Sequence, residues 1–302
     1  MKKILVKILF FSSCFVLFVS FFNIHAENLS EEKENLAFAI LSDVHINEKD
    51  KTKSEKLENA LSIINKKVPN IDKYIFTGDY TNSGYIEEYK LLNEIYSRNV
   101  SSNEKRITIM GNHDYWNGLN IEDSKNRFRN ELKEELNSSR KIKGYTFILL
   151  STENDEVHGY YSEKSLDFAK KEIEKSINYN PSKPIFIFTH QPPKDTIYGS
   201  DIWGNNHLKE VFNEYKQVIL FAGHSHFPLN DERGIYQNNY TVITAGGIGG
   251  VDIEENNIDE GSQGLIVKVD KNNKITIIRM DFSNNEEIKK PWIIDNFKKS
   301  NL

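Results

Sequence analysis

Short apolar runs of strand length recur along the chain, and each closes on a polar motif. Residues 36–41 end at Leu41-Ser42-Asp43-Val44-His45, residues 74–77 at Phe76-Thr77-Gly78-Asp79, and residues 106–110 at Gly111-Asn112-His113-Asp114. Residues 185–188 end at Phe188-Thr189-His190, and residues 218–221 at Ala222-Gly223-His224-Ser225-His226. Runs this short and this continuous predict strands buried on both faces. Between them, apolar positions fall at helical spacing over 53–67 (Leu57, Leu61, Ile64), 86–98 (Tyr89, Leu92, Ile95), 121–138 (Phe128, Leu132, Leu136), 163–177 (Leu166, Ala169, Ile173) and 208–215. Strand alternating with helix predicts right-handed crossovers in an α/β fold, with polar residues gathered at the strand ends. Residues 145–150 add a further strand. Past residue 239 the helical spacing stops, and residues 240–244, 264–269 and 275–280 predict strands of a meander, with Asp270-Lys271-Asn272-Asn273 as a turn.

The N-terminus has its own pattern. Lys2, Lys3 and Lys7 precede an apolar run from Ile8 to Phe22 and then Ile24-His25-Ala26, so residues 1–26 are expected to be a secretory signal cut near Glu27. The run is shorter than the roughly 20 residues a bilayer span needs, so no stable membrane span is expected after cleavage. Cleavage there would remove Cys14, the single cysteine, and with it thiol catalysis and disulfides; the alternatives are lipid attachment at Cys14 and an uncleaved anchor helix. Residues 27–35 form a polar leader, 36–282 one domain, and 283–302 a C-terminal tail. A hydrophobic share of 38% suits one sizeable core. The formal charge of −5, more negative without the leader lysines, argues against a nucleic-acid-binding face.

The strand-end motifs carry the chemistry. Two divalent cations about 3.5–4 Å apart need a carboxylate that bridges them and oxygen and imidazole ligands on either side. Asp43, His45 and His226 suit one ion, Asn112, His190 and His224 the other, and Asp79 the bridge. Such a centre attracts phosphate and lowers the pKa of bound water. His113 is the expected proton donor to the leaving oxygen, with Asp114 orienting it. His158 and His207 lie in polar contexts that suggest surface positions.

The order and content of these motifs resemble the calcineurin-like metallophosphoesterases from about Leu36 to Gly247, including Thr189-His190-Gln191-Pro192-Pro193. The resemblance implies a four-layer α/β/β/α sandwich with two mixed sheets and a dinuclear site at the strand ends. It also implies hydrolysis of phosphoesters by a metal-bridging hydroxide. Purple acid phosphatases carry Asp-x-Gly where this chain has Asp43-Val44-His45, and a tyrosine where it has Asn82. Ser/Thr phosphatases carry an Asp-Arg pair where this chain has Asn82-Ser83. The motif run is closer to the cyclic-nucleotide phosphodiesterase type.

No motif brings an arginine or lysine to the site, which favours a diester, with its single phosphate charge, over a monoester dianion. The expectation is a secreted phosphodiesterase using two divalent ions, Mn, Fe or Zn, on a small phosphoester such as a nucleotide or a phospholipid headgroup. The alternatives are an extracellular phosphomonoesterase and a metal-binding surface protein without catalysis. Tyr115, Trp116, Tyr198 and Trp203 lie on loops leaving the site strands, where they can stack on a base or cover a lipid headgroup.

Overall fold

The computed structural model describes residues 35–252 and 261–295; the expected signal segment and most of the polar leader lie outside them. In chain order the elements are β1 (Leu36–Leu41), α1 (Lys51–Lys67), β2 (Lys73–Phe76), α2 (Ile86–Asn99), β3 (Arg106–Thr108), α3 (Ile121–Leu132), β4 (Asn137–Ile142), β5 (Tyr145–Leu150), α4 (Glu163–Tyr179) and β6 (Ile185–Thr189). There follow α5 (Ser200–Trp203), α6 (Asn206–Phe212), β7 (Val218–Ala222), β8 (Ile235–Gln237), β9 (Thr241–Thr244), β10 (Gln263–Val269), β11 (Ile275–Asp281), β12 (Glu286–Glu287) and β13 (Trp292–Ile294).

Two mixed sheets result. One runs β12-β11-β10-β1-β2-β3, with β13 also paired to β11; the other runs β4-β5-β6-β7-β9-β8. β1, β2 and β3 are parallel to one another, as are β5, β6, β7 and β9. Alternation along each strand splits its side chains between two cores. In β1, Leu36, Phe38 and Ile40 face the second sheet, whereas Ala37, Ala39 and Leu41 face α1 and α2. In the second sheet, Phe147, Phe186, Phe188 and Phe221 face inward, and Ile148, Ile187 and Leu220 pack against α4 and α6. Helices, sheet, sheet and helices thus form four layers, as the resemblance implied. Among the described residues no helix is long and apolar enough to cross a membrane.

The structure departs from the periodicity in two places. The helix expected over 121–138 ends at Leu132, where Lys133 takes a left-handed conformation with φ 59°. Asn137–Ile142 instead forms the edge strand β4, antiparallel to β5. Its Ser-Ser-Arg-Lys sequence suits an edge, where one side of the ladder meets water. Leu136 fits the helical spacing only by coincidence. Secondly, the expected tail is part of the sheet: β12 and β13 both pair with β11, and Trp292 lies in the core between the sheets.

Phe38 is the hub of that central core. Its ring meets Phe147 and Phe186 at 5.2 Å, Phe221 at 6.1 Å and Phe188 at 6.2 Å between centroids, all edge-on. Phe38→Ala should cost about 3–5 kcal/mol, the range for a buried aromatic truncated in a core that cannot collapse. Urea denaturation measures it, and a loss under 1 kcal/mol would show that the two sheets do not depend on this contact.

Candidate metal centre

Parallel strands present their C-termini along one edge, and the loops leaving β1, β2, β3, β6 and β7 bring the expected residues there. Asp43, His45 and His226 form one group of ligand atoms, and Asp79, His190 and His224 another. His45, Asp79 and His113 form a third, so Asp79 is common to two groups. Asn112 immediately precedes His113, and its side chain is held by Gln191, the neighbour of His190 in the chain. Shared members join the three groups, so six of the seven expected ligands and His113 belong to one locus, with Asn112 beside it in the chain.

Convergence demands unusual backbone. Asp43, His45, Asp79, His224 and His226 all have φ between 49° and 71°. The left-handed region costs a side chain with a Cβ roughly 1–2 kcal/mol. Each of these turns redirects the chain at a strand end and aims a side chain across the edge. Two glycines permit the crowding. A Cβ on Gly111 would lie 2.1 Å from Asp79 Oδ1, and one on Gly78, itself at φ 97°, would lie 2.5 Å from His190 Nδ1.

Backbone carbonyls fix the imidazoles. His190 Nδ1 lies 2.8 Å from Thr77 O and His226 Nδ1 3.1 Å from Gly250 O. Each Nδ1–H donates to its carbonyl, which leaves Nε2 to face the site. His226 Nε2 is 3.1 Å from His45 Nε2 and 3.3 Å from Asp43 Oδ1. His190 Nε2 is 3.1 Å from Asp79 Oδ2 but too poorly aligned for a hydrogen bond. The carboxylates accept from the backbone: Asp43 from His224 N, and Asp79 Oδ1 from His113 N at 2.9 Å.

Charges follow this packing. Burial pushes the Asp43 carboxyl up, but the adjacent His226 outweighs it and holds the group at about 2. Burial acts upward on Asp79 too, and His190 draws it well below the usual carboxylate range. Burial disfavours the His190 imidazolium, yet Asp79 lifts it to about 9. Burial dominates at His45 and His224 and holds each neutral, at about 3. The locus therefore offers ionised carboxylates beside two neutral imidazoles, His45 and His224, and two that hold a proton until a cation replaces it, His190 and His226. His190 Nε2 and His224 Nε2 are buried without any hydrogen-bond partner. Buried nitrogens left without partners are costly, and divalent cations among these oxygens and nitrogens would satisfy them. The residues fit a dinuclear centre.

His113 is held from two sides. Its Nδ1 lies 3.0 Å from the Asn82 carbonyl, and its ring is 3.6 Å from that of Trp116 and 4.5 Å from that of His45. Asp114 does not orient it, contrary to expectation. His113 and Asp114 lie in a short 3-10 turn that points their side chains apart. The Asp114 carboxylate instead accepts from Gly111 N, Asp79 N, Thr81 N and Thr81 Oγ1. Burial first, then the charge of Asp79, push it up to about 8. Asp114 is a fully buried brace between the loops after β2 and β3.

The sequence assigned no task to Gln191. It is fully buried; its Nε2 donates to Asn112 Oδ1 at 3.2 Å and to Val157 O at 3.3 Å, and its Oε1 accepts from Tyr161 Oη at 3.1 Å. An amide inside an apolar run before Pro192-Pro193 was the signal available in the sequence.

Similarity to known proteins agrees with this geometry. The model of the calcineurin-like phosphoesterase family matches residues 36–228. A protein of Arcobacter nitrofigilis named "Probable glycerophosphodiester phosphodiesterase GpdQ" is 30% identical over 203 residues, which is 62% of this chain and 70% of that one. A "Probable cyclic nucleotide phosphodiesterase" of Ruthia magnifica subsp. Calyptogena magnifica is 29% identical over 202 residues, 63% of this chain and 78% of that one. Among solved structures, a purple acid phosphatase from yellow lupin (Lupinus luteus) superposes with a TM-score of 0.63 at 16% identity, over 86% of this chain and 53% of that one, a likeness of fold.

Gln191 fixes which way the Asn112 amide points, and partners of this kind typically govern metal affinity by roughly tenfold to a hundredfold. Gln191→Leu should weaken binding of one of two Mn²⁺ ions to that extent in calorimetric titration of the apoprotein, leaving the other in place. Unchanged affinity for both ions would show that Asn112 is oriented without it.

Proposed function

Since this chain belongs to the calcineurin-like phosphoesterase family, we propose that it hydrolyses phosphodiesters with a pair of divalent cations. The ligands are Asp43, His45 and His226 on one side, Asn112, His190 and His224 on the other, with Asp79 between. The observation that carries the reading is the set of inward-facing ligand atoms around Asp79, with His190 Nε2 and His224 Nε2 lacking partners. These residues would hold the cations, whose chemistry would be to attract phosphate and lower the pKa of bound water.

The protein's own part is to position and to move a proton. His113 keeps Nδ1 on the Asn82 carbonyl, so Nε2 is the nitrogen that hands a proton to the departing alkoxide. The rings of Trp116 and His45 limit how far the imidazole can swing. Asp114, through the amides of Gly111, Asp79 and Thr81, keeps Asp79 and the His113 turn in register.

Diesters are favoured over monoesters on charge. Among the described residues the ion pairs of Asp43 and Asp79 are with histidines, and no arginine or lysine is paired with them. A monoester dianion would need a further cation that a diester does not. The two named phosphodiesterase relatives support the same choice. The leader-like residues 1–26 support action outside the cytoplasm.

Protein loaded with Mn²⁺ or Zn²⁺ should hydrolyse bis-p-nitrophenyl phosphate faster than p-nitrophenyl phosphate, and chelation should abolish both rates. The reverse preference would make the protein a phosphomonoesterase. His113→Ala should lower kcat on the diester by about 10²–10⁴, the span of general acid catalysis, with two ions still bound by elemental analysis. Full activity in that variant would remove the proton-donor assignment.

A further inference from the structure

Large apolar side chains that remain exposed are concentrated around the metal centre. Trp116, Leu119, Val157, Tyr160, Ile202 and Trp203 are each between 38% and 58% exposed. They sit on two loops and on the short helix α5, and each of the three segments is tied to the site. The Trp116 ring lies against His113 at 3.6 Å, and the Trp203 ring is 5.9 Å from that of His224. The Val157 carbonyl accepts from Gln191, whose same nitrogen reaches Asn112. Tyr160 lines a cavity with Gly204 and Asn205, next to Trp203 in the chain, and Asn205 Nδ2 laces the loops together by donating to His158 O and Gly159 O. Scattered apolar residues on a surface need no explanation, but a group ringing a catalytic centre marks a contact surface.

The chemistry of the ring narrows the occupant. Tryptophan and tyrosine with aliphatic neighbours are the residues that settle at the interface between lipid headgroups and acyl chains. A glycerophosphodiester without acyl chains, or a small polar ester, has nothing apolar to meet them. Charge narrows it again. The ring carries Asp155, Glu156 and Asp201, which disfavour an anionic surface. The cavity between its loops, about 320 Å³, has both signs on its walls, Glu156 and Lys194, beside His158 and His207. A headgroup bearing both a phosphate and an ammonium matches such a lining.

We propose that this ring seats the metal centre on a zwitterionic phospholipid surface, so that the diester it meets still carries its acyl chains. The inference rests on the phosphodiesterase reading for what happens to that diester, and on the ring alone for the docking. Contact is peripheral: loops enter the interface and no element spans it.

The tryptophans make the test direct. The chain has three: Trp116 and Trp203 in the ring, and Trp292 buried between the sheets. Residues 1–34 contain none, so insertion of the apolar leader by itself leaves the emission unchanged. The full metal-loaded chain is titrated with phosphatidylcholine vesicles whose acyl chains are brominated, which quench an indole only on close approach. The expected result is quenching and a blue shift, with an apparent affinity about tenfold weaker in the Leu119→Ser/Ile202→Ser double variant. Circular dichroism melting of the variant confirms its fold. Absence of quenching, quenching by anionic phosphatidylglycerol vesicles alone, or quenching undiminished in a folded double variant would each overturn the docking surface. The two readings fail separately. Docking without turnover of bis-p-nitrophenyl phosphate would remove the phosphodiesterase and leave the surface; turnover without docking would do the opposite.

Discussion

The arrangement that the rest of this structure depends on is the burial of two carboxylates beside four imidazoles in one small volume. Asp43 and Asp79 are almost wholly withdrawn from solvent, and His190 is completely so. Isolated buried charges of this kind are expensive, and each must find a partner. In the protein alone the partners are protons shared out among the histidines: His190 and His226 hold theirs more tightly than usual, while His45 and His224 are kept neutral by burial. That division still leaves two imidazole nitrogens without partners. Divalent cations resolve the mismatch, because they neutralise the carboxylates and accept the neutral nitrogen lone pairs together.

Such a site needs a scaffold stiff enough to hold strained turns. The five left-handed ligand residues sit where buried strands end, and the strands are fixed by packing on both faces. The central aromatic core around Phe38 lies directly behind the edge where Asp43 and His190 emerge. The two sheets also meet at the site itself, since the His224 amide of the second sheet donates to the Asp43 carboxylate of the first. Packing between the sheets and geometry of the metal centre are thus one mechanical problem. The glycine-rich segment 245–250 closes it from a third direction: Ile248 and Gly249 amides donate to Ser42 and Asp43 carbonyls.

The candidate ligands were legible in the sequence because a doubly buried strand advertises itself as an apolar run, and the polar residue that ends it lies at the strand edge. What failed to read through was direction. Asp114 follows His113 immediately, and adjacency suggested partnership; a 3-10 turn sends the two side chains apart, and neighbouring amides claim the carboxylate. Leu136 completed a helical pattern that the left-handed Lys133 had already broken. β12 and β13 are too short for periodicity to reveal, and only their pairing with β11 makes them strands. Gln191 was visible as a residue but not as a tie, because its three partners come from two distant stretches of chain.

The outcome for His113 bears on the chemistry. A carboxylate at Nδ1 would add a negative charge beside the ring. A backbone carbonyl fixes the same tautomer and the same orientation without that charge. The carboxyl group next in sequence is turned inward, where its oxygens accept from the loop amides instead. Orientation by Asn82 and Trp116 therefore leaves Nε2 as the nitrogen turned away from the Asn82 carbonyl. Negative charge at the locus is left to Asp43 and Asp79, where cations need it.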